Sequence, residues 1–280
     1  MYRITRHLTV SLATAAALAA AAVPASSQGV PPGAPEPATI TYVGSSGFLI
    51  RAGGRKILID ALYDGFPGAY VVPASVQQPL LAGRPPFDGV DLILATHSHG
   101  DHFSAAAVRR ALESSPGAVF VGPASAVAEL GGVGDRAMAL EVPEGQRRSL
   151  EVRGISIVAM RFSHGTPPAG RPGIVNLAYL ITVGGVKFLH TGDVSVNDIP
   201  LAYLQSLGVP DERVDVAFVP HFLLSTPVPI PWVTEGLRPR VVVASHLEYT
   251  GDSRPNAELI RRNFPTAVVF STEGESWVVR

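Results

Sequence analysis

The densest concentration of reactive side chains in this chain is Thr96-His97-Ser98-His99-Gly100-Asp101-His102. It runs straight on from an apolar, strand-like segment at 91–96. In an extended segment residues two apart point the same way, so His97 and His99 can share one cation. Gly100 lets the chain turn, which frees Asp101 and His102 to face a second cation. The bland alternative for this run is a solvent-exposed polar turn before a helix. Three later segments place a further ligand type beside a strand end or turn: His164 after 155–162, Asp193 within His190-Thr191-Gly192-Asp193, and His246 after 240–244. Singly, each reads as a structural loop residue. Together with the first cluster they complete the partners for two metal ions. Cysteine is absent, so any metal must be held by His, Asp or Glu.

The elements that position these residues are short. Strands are expected at 39–43, 47–51, 56–60, 91–96, 119–121, 155–162, 177–183, 186–189, 214–219, 240–244 and 267–270. Helices are expected at 105–113, with Ser104 as N-cap, and at 124–130, 200–207 and 256–263. The run from Phe48 to Leu58 matches the run from Tyr179 to Leu189 at a constant offset of 131, including both glycines of each Gly-Gly turn. A Gly-Gly hairpin is common enough to recur by chance. At nearly half the chain length, the repeat is better explained by two similar β-rich halves packed face to face.

Composition narrows the function classes. The 280 residues carry 22 Lys+Arg against 23 Asp+Glu, a net charge of −1, with 46% hydrophobic residues. That excludes a nucleic-acid binder working through bulk positive charge and points to an ordered globular core. Residues 1–25 combine Arg3 and Arg6, an alanine-rich apolar run and small residues around Val23-Pro24-Ala25. This is the pattern of a cleaved secretory signal, with an uncleaved N-terminal anchor as the alternative. Residues 26–37 form an Ala/Pro/Gly-rich lead-in, and the fold is expected over 38–280. The expectation is a periplasmic or secreted protein with no stable membrane span after signal removal, acting on a small-molecule substrate.

The HxHxDH run at His97–His102, followed in order by His164, Gly192-Asp193 and His246, resembles the metallo-β-lactamase-fold hydrolases. The segment Tyr42-Val43-Gly44-Ser45-Ser46-Gly47-Phe48-Leu49-Ile50 and the strand Ile57-Leu58-Ile59-Asp60 look like the branch holding ascorbate-phosphate lactonase-like proteins. The resemblance implies an α/β fold, a four-layer αββα sandwich of two similar halves. It also implies that His97, His99 and His164 bind one metal, that Asp101, His102 and His246 bind the other, and that Asp193 bridges both. The expected cofactors are two divalent ions, zinc first, with iron or manganese accommodated by the same donors. Two such cations acidify a shared water to a nucleophilic hydroxide. Asp101 is then expected to take a catalytic part as well, orienting the nucleophile or assisting proton transfer.

Substrate class is narrowed by exclusion. Metallo-β-lactamases generally lack the bridging Asp, and many use a Cys this chain does not have; ribonuclease and glutathione-thioester relatives belong to the cytosol. A lactone, ester or phosphoester hydrolase remains, with a β-lactam hydrolase or a non-catalytic metal- or ligand-binding protein as alternatives. Two irregular, aromatic-bearing segments, 61–88 and 221–232, are candidate substrate walls through Tyr63, Phe66, Tyr70, Phe87, Phe222 and Trp232. Ordinary loop packing is the alternative for each; together they point to a rather apolar substrate. His221 is a catalytic candidate, polarising a scissile carbonyl or protonating a leaving group. Asp60 and His190 are expected to support the ligands from behind.

Overall fold

The central strands of this chain are apolar on both faces, and that dictates the layering. In the computed structural model, Phe48 and Ile50 of β2 (Gly47–Ala52) face one way and Leu49 the other, and all three are fully buried. Ile57 and Ile59 of β3 (Arg55–Ile59) alternate with Leu58 in the same manner. A sheet apolar on both sides must be covered on both sides. The structure describes residues 36–64, 70–165, 173–247 and 255–280. The expected signal, residues 26–35 of the lead-in and Phe66 lie outside them.

Two mixed sheets result. With β1 (Thr39–Gly44), β4 (Leu92–Leu94), β5 (Val119–Pro123), β6 (Ala137–Leu140) and β13 (Ser276–Val278), the first runs β13-β1-β2-β3-β4-β5-β6. The second is built from β7 (Arg147–Val152), β8 (Ile155–Arg161), β9 (Leu177–Val183), β10 (Val186–His190), β11 (Val216–Pro220) and β12 (Val241–Ser245), in the order β12-β11-β10-β9-β8-β7. Phe48, Ile50, Ile57 and Ile59 meet Ile157, Tyr179, Ile181 and Phe218 in the core between the sheets. On its other face the first sheet packs Leu49, Leu58 and Ile93 against α2 (Ala105–Ser114), in a cluster shared with α1 (Ala74–Leu81) and α3 (Ala124–Leu130). Helices α4 (Leu201–Ser206), α5 (His221–Leu224) and α6 (Ala257–Asn263) contribute Leu204, Leu224 and Ile260 to the larger core. Ser104 caps α2 through its hydroxyl, which accepts from the Ala107 N–H. Among the described residues no helix is long and apolar enough to cross a membrane.

The internal repeat is physical. Hairpins β2–β3 and β9–β10 are its two copies, each followed by parallel pairing, β3 with β4 and β10 with β11. Their polar anchors are duplicated too. The Lys56 N–H donates to Asp91 Oδ2 at 3.0 Å, and the Lys187 N–H to Asp215 Oδ2 at 2.9 Å. Each lysine ammonium reaches a carboxylate at 2.8 Å, Asp88 for one and Glu212 for the other. The two Gly-Gly turns touch where the halves meet. A Cβ on Gly184 would stand 2.6 Å from the Gly53 nitrogen.

Several elements differ from expectation. Segment 267–270 forms only an isolated bridge, Val268 with Val243, because the chain makes one pair of ladder bonds and leaves. Conversely, α1, β6, β7 and β13 form without a sequence signal: α1 contains Pro79, and the edge strand β7 is largely exposed and polar.

Turn contact separates two otherwise similar substitutions. Gly184 and Gly185 both have left-handed φ, 57° and 78°, so alanine at either costs about 1–2 kcal/mol in backbone strain. Gly185 has open space around it, whereas Gly184 abuts Gly53. Gly184→Ala is therefore expected to lower the unfolding free energy by a further ~1–3 kcal/mol relative to Gly185→Ala, read from urea midpoints.

Candidate metal centre

Seven potential ligands arrive from both sheets at one edge of the sandwich. The turn after β4 brings His97, His99, Asp101 and His102; the segments after β8, β10 and β12 bring His164, Asp193 and His246. Their ligand atoms form two groups, each lying within 4.8 Å: His97, His99 and His164, and Asp101, His102, Asp193 and His246. In the first group His97 Nε2 and His99 Nδ1 approach to 3.1 Å, and the His164 ring stands 4.8 Å from each of their rings. In the second, Asp101 Oδ2 lies 3.5 Å from His246 Nε2 and 3.7 Å from His102 Nε2. Asp193 Oδ2 stands between the groups: it is 3.2 Å from both His102 and His246, 3.7 Å from His164 and 4.0 Å from His97. Gly100 turns the chain without a left-handed φ; the turn is closed by the His102 and Phe103 N–H groups donating to the His99 carbonyl.

The electrostatics of the two groups differ. Burial and then the neighbouring His102 hold His97 well below the usual histidine pKa, and burial followed by His164 lowers His99. These are neutral imidazoles with lone pairs to offer. Burial also opposes charge on His102, but Asp193 and Asp60 outweigh it and hold its pKa well above normal. For His246 burial is likewise overcome, by hydrogen bonds to Asp101 and Asp193, and its pKa rises to about 10. Asp193 in turn stays ionised against burial because His102 and its neighbours surround it. Both upward shifts come from the negative charge of Asp60, Asp101 and Asp193, which also suits a cation. Asp193 Oδ1 and His164 Nε2 are buried with no hydrogen-bond partner among the described residues. Clustered imidazole and carboxylate donors with unmet polar atoms suit a divalent metal.

Behind these residues lies a rigid support. Asp60, fully buried just beyond β3, accepts from the Thr96 N–H at 2.7 Å, from the Thr96 hydroxyl at 2.7 Å and from His102 Nδ1 at 2.8 Å. It thereby fixes which His102 nitrogen faces the site. His190 accepts from the Gly192 N–H at Nδ1, so its proton lies on Nε2, which donates to the Ser46 carbonyl. Asn176 has no signature in the sequence. Its amide donates to the Phe162 and Thr191 carbonyls, and its Oδ1 accepts from the Asp193 N–H. Gly192, with φ 59°, passes so close that a Cβ would fall 2.0 Å from Asn176 Oδ1.

The candidate wall aromatics fall in two environments. Trp232 is 5% exposed, stacks edge-on against Phe162 and donates its indole N–H to the Ile199 carbonyl. Tyr63, Tyr70 and Phe87 are buried in the cluster beneath the helices, with the Tyr70 hydroxyl bonded to Glu273. Phe222 differs: it is 45% exposed, and its ring centroid lies 5.7 Å from that of His246. Beside it, half-buried His221 opens α5 with its Nδ1 buried and unpartnered among the described residues. Burial, and then repulsion from His246, presses its pKa down to about 4.

Asn176→Ala leaves two buried carbonyls and the Asp193 N–H without their partner, at about 1–3 kcal/mol for each group left unmet. A loss of at least ~2 kcal/mol is expected in denaturant unfolding. A wild-type midpoint would disprove this support.

A family model described as a beta-lactamase superfamily domain matches residues 39–246. Among curated relatives, a UPF0173 metal-dependent hydrolase of Thermococcus kodakarensis is 30% identical over 215 residues, covering 74% of this chain and 83% of its own. One from Thermus thermophilus is 27% identical over 212 residues, covering 74% and 82%. Among solved structures, Igni18, a metallo hydrolase of Ignicoccus hospitalis, superposes with a TM-score of 0.63 at 21% identity, covering 87% of this chain and 98% of that one. An isothiocyanate hydrolase from Delia radicum gut bacteria gives 0.60 at 16% identity, covering 86% and 98%. Sequence match and architecture agree, and the chain belongs to the metallo-β-lactamase superfamily of metal-dependent hydrolases.

Proposed function

We propose that this chain is an exported hydrolase that uses two divalent metal ions to cleave a lactone, ester or phosphoester. His97, His99 and His164 would hold one ion, Asp101, His102 and His246 the other, and Asp193 would serve both. The observation that carries this reading is the position of Asp193 Oδ2, within 4.0 Å of imidazoles from both groups. One ion alone would not call for a carboxylate placed between two sets of donors. Imidazole and carboxylate suit zinc and accommodate iron or manganese. Export rests on the secretory pattern of residues 1–25.

When bound, such cations supply Lewis acidity and a supply of ionised water near neutral pH. The chain's own residues orient and exclude. Asp60 locks the His102 ring, while Asn176 and Gly192 fix the backbone that presents Asp193. Asp101, 8% exposed beside His246, would orient a nucleophile or accept its proton. Phe222 offers an apolar surface at the rim. With its pKa near 4, His221 is neutral at pH 7. That favours a polarising hydrogen bond to the substrate over protonation of a leaving group.

Elemental analysis of purified protein, paired with hydrolysis of an ester, lactone, phosphodiester and β-lactam panel, tests the proposal. The expected result is about two ions per chain and turnover on the ester or lactone members. Asp193→Ala is expected to lose metal and to drop activity by more than the roughly 10–100-fold that loss of an outer partner costs. Unchanged metal content with full activity would remove Asp193 from its role. Full occupancy with no turnover on any member would favour a binding protein, and dominant β-lactam cleavage would reassign the substrate class. For His221→Gln, reduced turnover is expected, while wild-type protein shows no rate limb near pH 6–7 that the substitution removes. Such a limb would make His221 a proton donor after all.

A further inference from the structure

Arg161 is a charge where the fold calls for none. On β8 it continues the row Ile155, Ile157, Ala159, all buried. Ala159 pairs with Tyr179, whose hydroxyl donates to the Ala95 carbonyl of the opposite sheet, so this row faces the space between the sheets. At the end of β8, three residues before His164, the row closes with a guanidinium. Arg161 lines two cavities of about 380 and 430 Å³ and is the residue they share. The first includes Ser125, whose hydroxyl donates to Ser98 between His97 and His99. The second includes Ser163 and Gly165, the neighbours of His164. Each cavity thus borders a segment that carries a ligand: the first through Ser125 and Ser98, the second through Ser163 and Gly165 on either side of His164.

No described carboxylate lies within ion-pair distance of this guanidinium. Glu141 lines the first cavity, and Glu144 and Asp198 the second, all three exposed. A half-buried arginine without a fixed partner among the described residues has donors to offer an anion, and its planar fork matches a carboxylate in two parallel hydrogen bonds. The three exposed carboxylates repel any anion through solvent, twice as strongly for a dianion as for a monoanion, so binding rests on the direct fork of the guanidinium. We propose that Arg161 is a specificity-determining residue that binds a carboxylate on the non-reacting part of the substrate. Resting on the hydrolase reading above, this narrows the substrate class to esters or lactones carrying a single remote carboxylate, and selects against phosphorylated analogues.

The test compares three chromogenic aryl esters of equal length, ending in a carboxylate, a neutral amide or a phosphate, in the metal-loaded full chain. Wild type is expected to favour the carboxylate ester over the amide by about tenfold or more in kcat/KM, with the phosphate ester below it. Arg161→Gln is expected to bring the carboxylate-to-amide ratio close to one through a raised KM. Arg161→Lys keeps the charge but loses the fork, and is expected to restore part of the preference. No wild-type preference, or an unaltered ratio in Arg161→Gln, overturns the assignment, as does a preference for the phosphate ester. Calorimetric binding of an unreactive amide-linked analogue with the same carboxylate separates this failure from failure of the hydrolase reading. Binding weakened about tenfold or more by Arg161→Gln supports the subsite even with no ester turned over, and equal binding refutes it.

Discussion

A single carboxylate oxygen joins the two halves of this molecule at its site. Asp193 Oδ2 is 3.2 Å from His102, which comes from the first sheet, and 3.2 Å from His246, which comes from the second. Neither half holds a complete set of donors. The first supplies His97, His99, Asp101 and His102, the second His164, Asp193 and His246. The site therefore exists only when the sheets are docked, and the core of Phe48, Ile57, Tyr179 and Phe218 that docks them is as much a condition of the chemistry as any ligand. Burial of that apolar surface is the non-directional part of the assembly. The Gly53–Gly184 contact and the Tyr179–Ala95 hydrogen bond are points at which its register is specified.

Duplication explains how such a site arises from a short vocabulary. Each half presents a hairpin, then parallel strands, and in each a lysine and an aspartate tie the strand starts together. The strand ends then diverge in use. After β3 comes Asp60, a buried acceptor for Thr96 and His102; after β10 come Thr191 and Gly192, which swing Asp193 outward. Equivalent places in the two halves thus hold a supporting acid in one case and a tight turn in the other.

The sequence made the local part of this legible. His97, His99, Asp101 and His102 occupy one turn, so their spacing alone announces convergence. His164, Asp193 and His246 were found by their order after strand-like runs, and the hairpin repeat foretold two similar halves. Asn176 was not legible, because three hydrogen bonds to segments 15 or more residues away in two of its three partners leave no pattern along the chain. Arg161 was hidden for a related reason: only the facing of β8 shows that it points between the sheets. The aromatic segments were legible as loops but not in their burial. Trp232, Tyr63 and Tyr70 sit in Pro- and Gly-rich stretches that look like loops over a pocket, yet large rings are drawn into any packing space within reach. Among those aromatics Phe222 alone stays exposed within the described residues, because it follows the short β11–α5 junction at the site's edge.

Two site residues carry backbone conformations that L-residues avoid, Asp60 at φ 48° and His246 at φ 56°. Each costs about 1–2 kcal/mol relative to a relaxed conformation, so something must hold it there. For Asp60 the compensation is visible: its N–H donates to the Leu94 carbonyl, and its carboxylate receives three hydrogen bonds at full burial. His246 is held differently. Its neighbour Leu247 donates to the Ser45 carbonyl and receives the Tyr42 hydroxyl at its own carbonyl, while the imidazole faces Asp101 and Asp193. Its grip on the site is electrostatic, through groups that are themselves candidate ligands. The strain at Asp60 is therefore met by hydrogen bonds to its own groups, and that at His246 by the hydrogen bonds of its neighbour together with Asp101 and Asp193.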